Sequence, residues 1–423
     1  MASRTAPMGA LSGKKPSGYR FLGAWLLLTS SAWAVPVTLP EALTAAQARS
    51  PILAAEAAAL AEAEARVHTA AAWPHNPELG VEGAARLGAG DPSADWQVRL
   101  SQTLPLGGQR GRQIAVARAE RDEVAARWAA ELSWLTVRVR LAFVDLLFAQ
   151  AVLAVETVHS TLAQSLVGMA ERRFNAGVNT RLEVGLARVE AGRAAGRVAA
   201  ARGQVRVASS RLAEAMGGDP SVAIEAVGDL APAEVPPPAL APLLAAAHTR
   251  RSELIALERG LQTARARVAA AEAAAVPDLT ISVFGGRESG RETLVGAGLS
   301  VPLPLFDPRR ASEARAAEPR LAAERALVAA RVEQEVVAAW SELTTAIEVE
   351  TTLRAQVTEP QDTHLDLLRR AFDVGKIAGS EVLVMQNEFR ASHLEWLAAC
   401  AEVHRARARL DLAVGPPDGE PAP

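Results

Sequence analysis

The chain repeats itself, and this duplication constrains the fold more than any other feature: what one half forms, the other must form again beside it. Arg49-Ser50 answers to Arg251-Ser252, Leu100-Ser101 to Leu299-Ser300, and Leu104-Pro105-Leu106 to Leu303-Pro304-Leu305. Phe174, Gly177, Glu183, Val184, Glu190, Leu212 and Gly217 answer to Phe372, Gly375, Glu381, Val382, Glu388, Leu410 and Gly415, all at an offset of 198. The chain accordingly divides into residues 1–34, a first repeat over 35–216, a linker over 217–242, a second repeat over 243–415 and a tail over 416–423. The linker is rich in Pro, Gly and Ala and reads as a connection rather than an element.

Residues 1–34 have the pattern of a secretory signal peptide: Arg4, Lys14, Lys15 and Arg20, an apolar run from Phe21 to Leu28, then Ala32-Trp33-Ala34. Removing them takes four of the 45 basic residues and none of the 48 acidic ones, leaving 41 against 48, a net −7. Such a balance offers no field for nucleic acid. The only Cys, Cys400, lies far from the cut, so no N-terminal lipid anchor is indicated, and it reads as a small helix-packing residue. With 49% hydrophobic, 22% charged and 4% aromatic residues, the chain is neither a disulfide scaffold nor disordered. Its abundance of Ala points to long, closely packed helices. Beyond the signal peptide no stretch reads as the roughly 18 uncharged apolar residues of a membrane helix, so a membrane would have to be crossed by strands.

Helical periodicity covers 40–72, 111–173, 181–215, 240–275, 310–371 and 381–413, with Pro319 and Pro360 expected to kink or split the fifth run. The second run carries two heptad seams. One is Trp128, Leu132, Leu135, Val139, Ala142, Leu146, Ala149 and Leu153; the other is Val137, Leu141, Val144, Phe148, Ala151, Val155, Val158 and Leu162. They lie about 154° apart, so this helix expects a neighbour on each side, as in the wall of a closed ring. Strand-like alternation appears at equivalent places in both halves, over Leu79–Arg86 and Trp96–Ser101, then Leu279–Phe284 and Thr293–Val301. Four strands are too few for a membrane barrel, whose minimum is about eight, so a spanning sheet must be shared between copies.

The duplicated plan and the twice-occurring motif Phe-x-x-Gly-(x)5-Glu-Val, at Phe174–Val184 and Phe372–Val382, resemble the TolC-type outer-membrane efflux protein family. Leu104-Pro105-Leu106-Gly107-Gly108-Gln109-Arg110 further resembles the Leu-Gly-Gly-Lys-Arg segment of its heavy-metal (cobalt-zinc-cadmium or copper) subgroup, with Gln109 in place of Lys. The resemblance implies a mainly α fold with a β-barrel part: a homotrimer whose 12-stranded outer-membrane barrel, four strands per chain, continues as a periplasmic α-barrel. It implies a passive duct without covalent chemistry, served by a periplasmic adaptor protein and an inner-membrane RND-type pump, and surrounded by outer-membrane lipid.

By the same resemblance Glu381, with Glu183 as its repeat counterpart, constricts the entrance, although Val384 stands where the family often has a second acid. Phe174, Gly177, Thr180, Phe372, Gly375, Lys376 and Ser380 form the periplasmic tip turns that meet the adaptor. Trp73, Trp96, Phe284 and Phe306 flank the strands as candidate membrane-interface anchors. The seven His residues show no ligand spacing, so no metal site and no cofactor is expected. Two other functions fit the same sequence: the outer-membrane channel of a type I protein secretion system, and a periplasmic coiled-coil scaffold in which the alternating segments are not strands.

Overall fold

The structure, a computed structural model, describes residues 34–86, 93–178, 180–232, 236–288, 292–303, 310–357, 367, 370–371, 377 and 379–415. The expected signal peptide up to Trp33, Phe306, Pro360, Phe372, Gly375, Lys376 and the tail lie outside these residues, and of Ser380 only the backbone is described. In chain order the elements are β1 (Val35–Val37), α1 (Leu39–Arg49), α2 (Pro51–Ala71), β2 (Glu78–Arg86), β3 (Ser93–Leu104), α3 (Gln109–Asn175) and α4 (Arg181–Ala215). Then follow β4 (Ile224–Ala226), α5 (Leu240–Arg250), α6 (Ser252–Ala273), β5 (Leu279–Glu288), β6 (Glu292–Ser300), α7 (Arg310–Val357) and α8 (Gly379–Val414).

The first helical run of each half is broken in the middle, which periodicity did not show. Pro51 disfavours helical backbone at the preceding residue, and Ser50 accordingly has ψ 117° while its hydroxyl caps α2. In the second half Arg251 takes nearly the same angles without a proline, and its guanidinium instead donates to the Leu412 carbonyl and to Glu335, the latter at 2.9 Å. Pro319 does not split its helix: α7 runs through it, on the exposed side where water can serve the freed carbonyl. The linker also holds an element, because β4 pairs in parallel with β1.

α3 contains 67 residues, about 100 Å of helix at 1.5 Å per residue. One of its 18-residue stretches reaches a mean hydropathy of 1.9 and is 28% buried within the single chain. By length and composition it could cross a membrane, which corrects the expectation that no such stretch exists. The two seams account for its apolarity. Leu135, Val139, Leu146 and Ala149 are buried with α1, α4, β1 and β4, whereas Val144, Phe148, Ala151 and Val155 pack against Leu397, Cys400 and Ala401 of α8. α3 thus lies between α2 and α4 on one side and α6 and α8 on the other. In the second half α7 repeats only the first arrangement, burying Val332, Val336, Leu343 and Ala346 with α5 and α8.

The four alternating segments are strands, in one antiparallel sheet ordered β2-β3-β5-β6. This arrangement removes the coiled-coil scaffold, which required that they not be. Register puts Leu79, Val81, Trp96, Val98, Leu100, Ile281, Val283, Val295 and Leu299 on one face, and that face is bare: Val81 is 71%, Val295 80% and Leu299 74% exposed. The other face carries Glu82, Gln97, Arg99, Ser101 and Ser282. Among the described residues the outer edges of β2 and β6 are unpaired.

Candidate channel entrance and helix–strand junction

The tip motif is two helix caps back to back. α3 ends with Gly177 N–H donating to the Phe174 carbonyl at 2.9 Å and Val178 N–H to Arg173 at 2.9 Å, and Gly177 takes the left-handed φ of 75° that such an ending needs. Three residues later Thr180 caps α4 in a reciprocal box: its N–H donates to Glu183 Oε2 at 2.8 Å, and its hydroxyl accepts from Glu183 N–H at 3.4 Å. The Glu183 carboxylate therefore points back over the turn and helps set the geometry of this tip. Phe174, Val178, Leu182 and Leu186 remain exposed around it.

In the second tip Glu381 is exposed in the first turn of α8, and Val384 next to it is 62% exposed. The Val of each motif is the packing anchor. Val184 is buried with Ala170 and Ala187, and Val382 is buried against Leu166 of α3, which pins the second tip to the first repeat.

At the other end of α3 the Leu-Pro-Leu-Gly-Gly-Gln-Arg segment forms a tight junction between helices and strands. A Cβ on Gly107 would lie 2.6 Å from the Ala273 carbonyl, and Gly108 caps α3 with φ 68°. Gln109 donates to the Val276 carbonyl at 2.7 Å and to Asp278 at 2.8 Å, so it joins the first repeat to the second without the charge of a Lys. His75 lies 3.4 Å from the same Asp278, and Arg110 stacks on Trp73 with 5.9 Å between its Cζ and the ring centre.

Trp96 lies on the bare apolar face, as an interface anchor would. Phe284 does not. It faces Arg99 on the polar side, with 5.7 Å between the Arg99 Cζ and the ring centre, and it covers Gly296, whose absent side chain makes room for the ring. Phe284 thus lies on the face opposite Trp96.

Two buried carboxylates escaped the sequence reading. Glu156, 4% exposed, accepts from Arg197 of α4 at 3.2 Å and from Arg390 of α8 at 2.8 Å, stapling three helices. Glu350, 2% exposed, accepts from Arg354 at 2.6 Å and from Trp396 at 3.1 Å, beside Cys400 Sγ at 3.8 Å. Burial, aided by Glu350, pushes the Cys400 thiol up to about 12. His159, one turn from Glu156, is driven down to about 4 mainly by burial, with Arg390, His393 and Arg197 acting in the same direction and Glu156 opposing. Asp145, the other acid in this apolar part of α3, binds Arg405 of α8 at 2.7 Å. A usable signal was present: acids within an apolar run need partners, and α4 and α8 are rich in Arg. Among the described residues no group of His, Cys, Asp and Glu is placed to hold a metal ion.

The chain matches the Outer membrane efflux protein family over residues 42–218 and 243–416. It is 25% identical over 386 residues, 90% of each chain, to the cobalt-zinc-cadmium resistance protein CzcC of Cupriavidus metallidurans. Its fold is that of a membrane protein from Pseudomonas aeruginosa, at 20% identity, TM-score 0.69 and coverage of 89% of this chain and 93% of that one. The outer membrane protein VceC of Vibrio cholerae superposes similarly, at 16% identity, TM-score 0.68 and coverage of 89% and 96%. Duplicated long helices, capped tips and a four-stranded sheet with one bare face thus occur in a chain that belongs to the outer membrane efflux protein family.

Proposed function

We propose that three copies of this chain form one passive duct across the outer membrane and the periplasm of a Gram-negative cell. The observation that carries this reading is the sheet: four antiparallel strands with two open edges and one exposed apolar face, joined to a helix about 100 Å long. Open edges are satisfied by the strands of another copy, and an apolar outer face suits lipid. Three copies contribute twelve strands, within the range of membrane barrels. The chain reaches this location through its N-terminal signal peptide, performs no covalent chemistry and draws energy from an inner-membrane RND-type pump through a periplasmic adaptor. The adaptor meets the tip around Phe174, Gly177, Thr180, Phe372, Gly375, Lys376 and Ser380. Exposed Phe174, Val178 and Leu182 support that role at the first tip.

The cargo in this reading is a divalent heavy-metal cation, supported by the similarity to CzcC and by the Leu-Gly-Gly-Gln-Arg junction. Glu381, with Glu183 as its counterpart in the first repeat, lines the entrance and favours cations. Deleting the gene should lower tolerance to cobalt, zinc or cadmium, with restoration by the intact chain. Unchanged tolerance to all three would overturn the cargo. In planar bilayers Glu381→Gln should reduce the preference for cations over anions. An unchanged preference would remove Glu381 from the entrance.

A further inference from the structure

Within one chain the two repeats meet where α3 packs on α8, and that contact shows how this fold makes a wall. The cores put the long helices in register at an offset of 197: Leu135, Val139, Leu146 and Ala149 of α3 correspond to Val332, Val336, Leu343 and Ala346 of α7. α4 and α8 correspond at 198, as Val184 with Val382 and Leu212 with Leu410. In a ring of identical copies the open side of α7 therefore meets the open side of the next copy's α4, as α3 meets α8 inside the chain. A second copy is the occupant that the repeat itself specifies.

The two seams are chemically unlike. On α3, Val144, Phe148 and Val155 pack on Leu397, Cys400 and Ala401. At the corresponding places α7 has Ser341, Thr345 and Thr352, all exposed, and α4 has Ala199, Arg202 and Gly203. Further along α4, Gly192 and Gly196 have open space where a Cβ would be. Three ion pairs cross the α3–α8 seam: Arg140 with Asp411, Asp145 with Arg405, and Glu156 with Arg390. Their counterparts are Val337 with Ala213, Glu342 with Val207, and Leu353 with Gly192, none an oppositely charged pair. Glu342 binds Arg409 of its own chain.

We infer that the wall is sealed unequally: the α7–α4 seam between copies parts when the duct opens, and the α3–α8 seam within each copy stays shut. This inference rests on the trimeric reading above. Polar and glycine-lined surfaces lose little when they separate into water, whereas parting α3 from α8 exposes apolar side chains and breaks three ion pairs, one of them on the buried Glu156.

The test gives α7 the side chains of α3. Ser341→Val, Thr345→Phe and Thr352→Val together should raise the temperature at which the detergent-solubilised trimer dissociates. They should also lower the frequency of opening in planar bilayers in potassium chloride by about tenfold or more. A trimer with unchanged dissociation temperature and opening overturns the inference.

Because Arg405 stacks on Phe148 at 5.6 Å, the corresponding pair Val207→Cys and Thr345→Cys, in a Cys400→Ala background, places two thiols across the proposed seam. A reducible bifunctional thiol linker should give covalent dimers and trimers, abolish conductance and release it on reduction. Covalent trimers that conduct unchanged, or a trimer that cannot be linked, would contradict the parting seam. A wild-type protein that is not a trimer would instead contradict the reading beneath it.

Discussion

α3 and α7 occupy equivalent places in the two repeats, yet α3 has both seams filled within the chain and α7 only one. The difference shows how a duplicated chain can be complete along one boundary and dependent on other copies along the next. The first repeat has apolar packing on both sides of its long helix. The second leaves Ser341, Thr345 and Thr352 facing outward.

The sharpest way to break this comparison is at Glu156, where α3 is charged and α7 has Leu353. Glu156→Ala strands Arg390 and weakens the hold on Arg197, and should cost about 3–5 kcal/mol of stability, read from chemical denaturation in detergent. Leu353→Ala, at a half-buried site, should cost less than half as much. Equal losses would remove the staple as a distinguishing feature of the first repeat.

A smaller effect is expected at the helix ends. Gly415 has φ 94° and an absent Cβ position 2.5 Å from the Arg250 carbonyl, while Gly177 has φ 75° in open space. Gly415→Ala should therefore cost about 2–3 kcal/mol and Gly177→Ala about 1, both measurable by thermal melting. Thr180→Ala should cost about 1 kcal/mol and speed amide exchange in the first turn of α4 without altering the middle of that helix.

The smallest changes concern titration and thiol chemistry. His159 is held neutral in the folded chain, so the unfolded state binds the extra proton between pH 6.5 and about 4. Stability should fall as pH drops through that window, amid Glu156, Arg197, Arg390 and His393, and His159→Gln should flatten the fall. Cys400, buried and with its thiol pushed up to about 12, should resist maleimide in the native protein and react once it is unfolded.

The parts of the fold legible in the sequence were those with a period. Seven-residue spacing marked both seams of α3, two-residue alternation marked all four strands of the larger sheet, and the fixed offset marked the repeats. Three-residue strands such as β1 and β4 are too short to alternate. The break at Arg251 depends on a carbonyl and an acid distant in sequence, so no local pattern announced it. The site was legible unevenly. Gly177, Thr180 and Glu183 entered by resemblance, and the structure shows them in local helix caps, whereas the polar face of Phe284 follows from strand alternation beside Val283 and is at odds with its choice as an anchor. Glu156 went unnoticed because its partners lie on two other helices.

The central claim is that three copies share one barrel, and the most direct measurement is the native mass of protein extracted from isolated outer membranes in mild detergent. The account requires outer-membrane recovery and a mass of three chains after correction for detergent, falling to one chain on heating. Recovery as a soluble species, or as a monomer or dimer before heating, would contradict it.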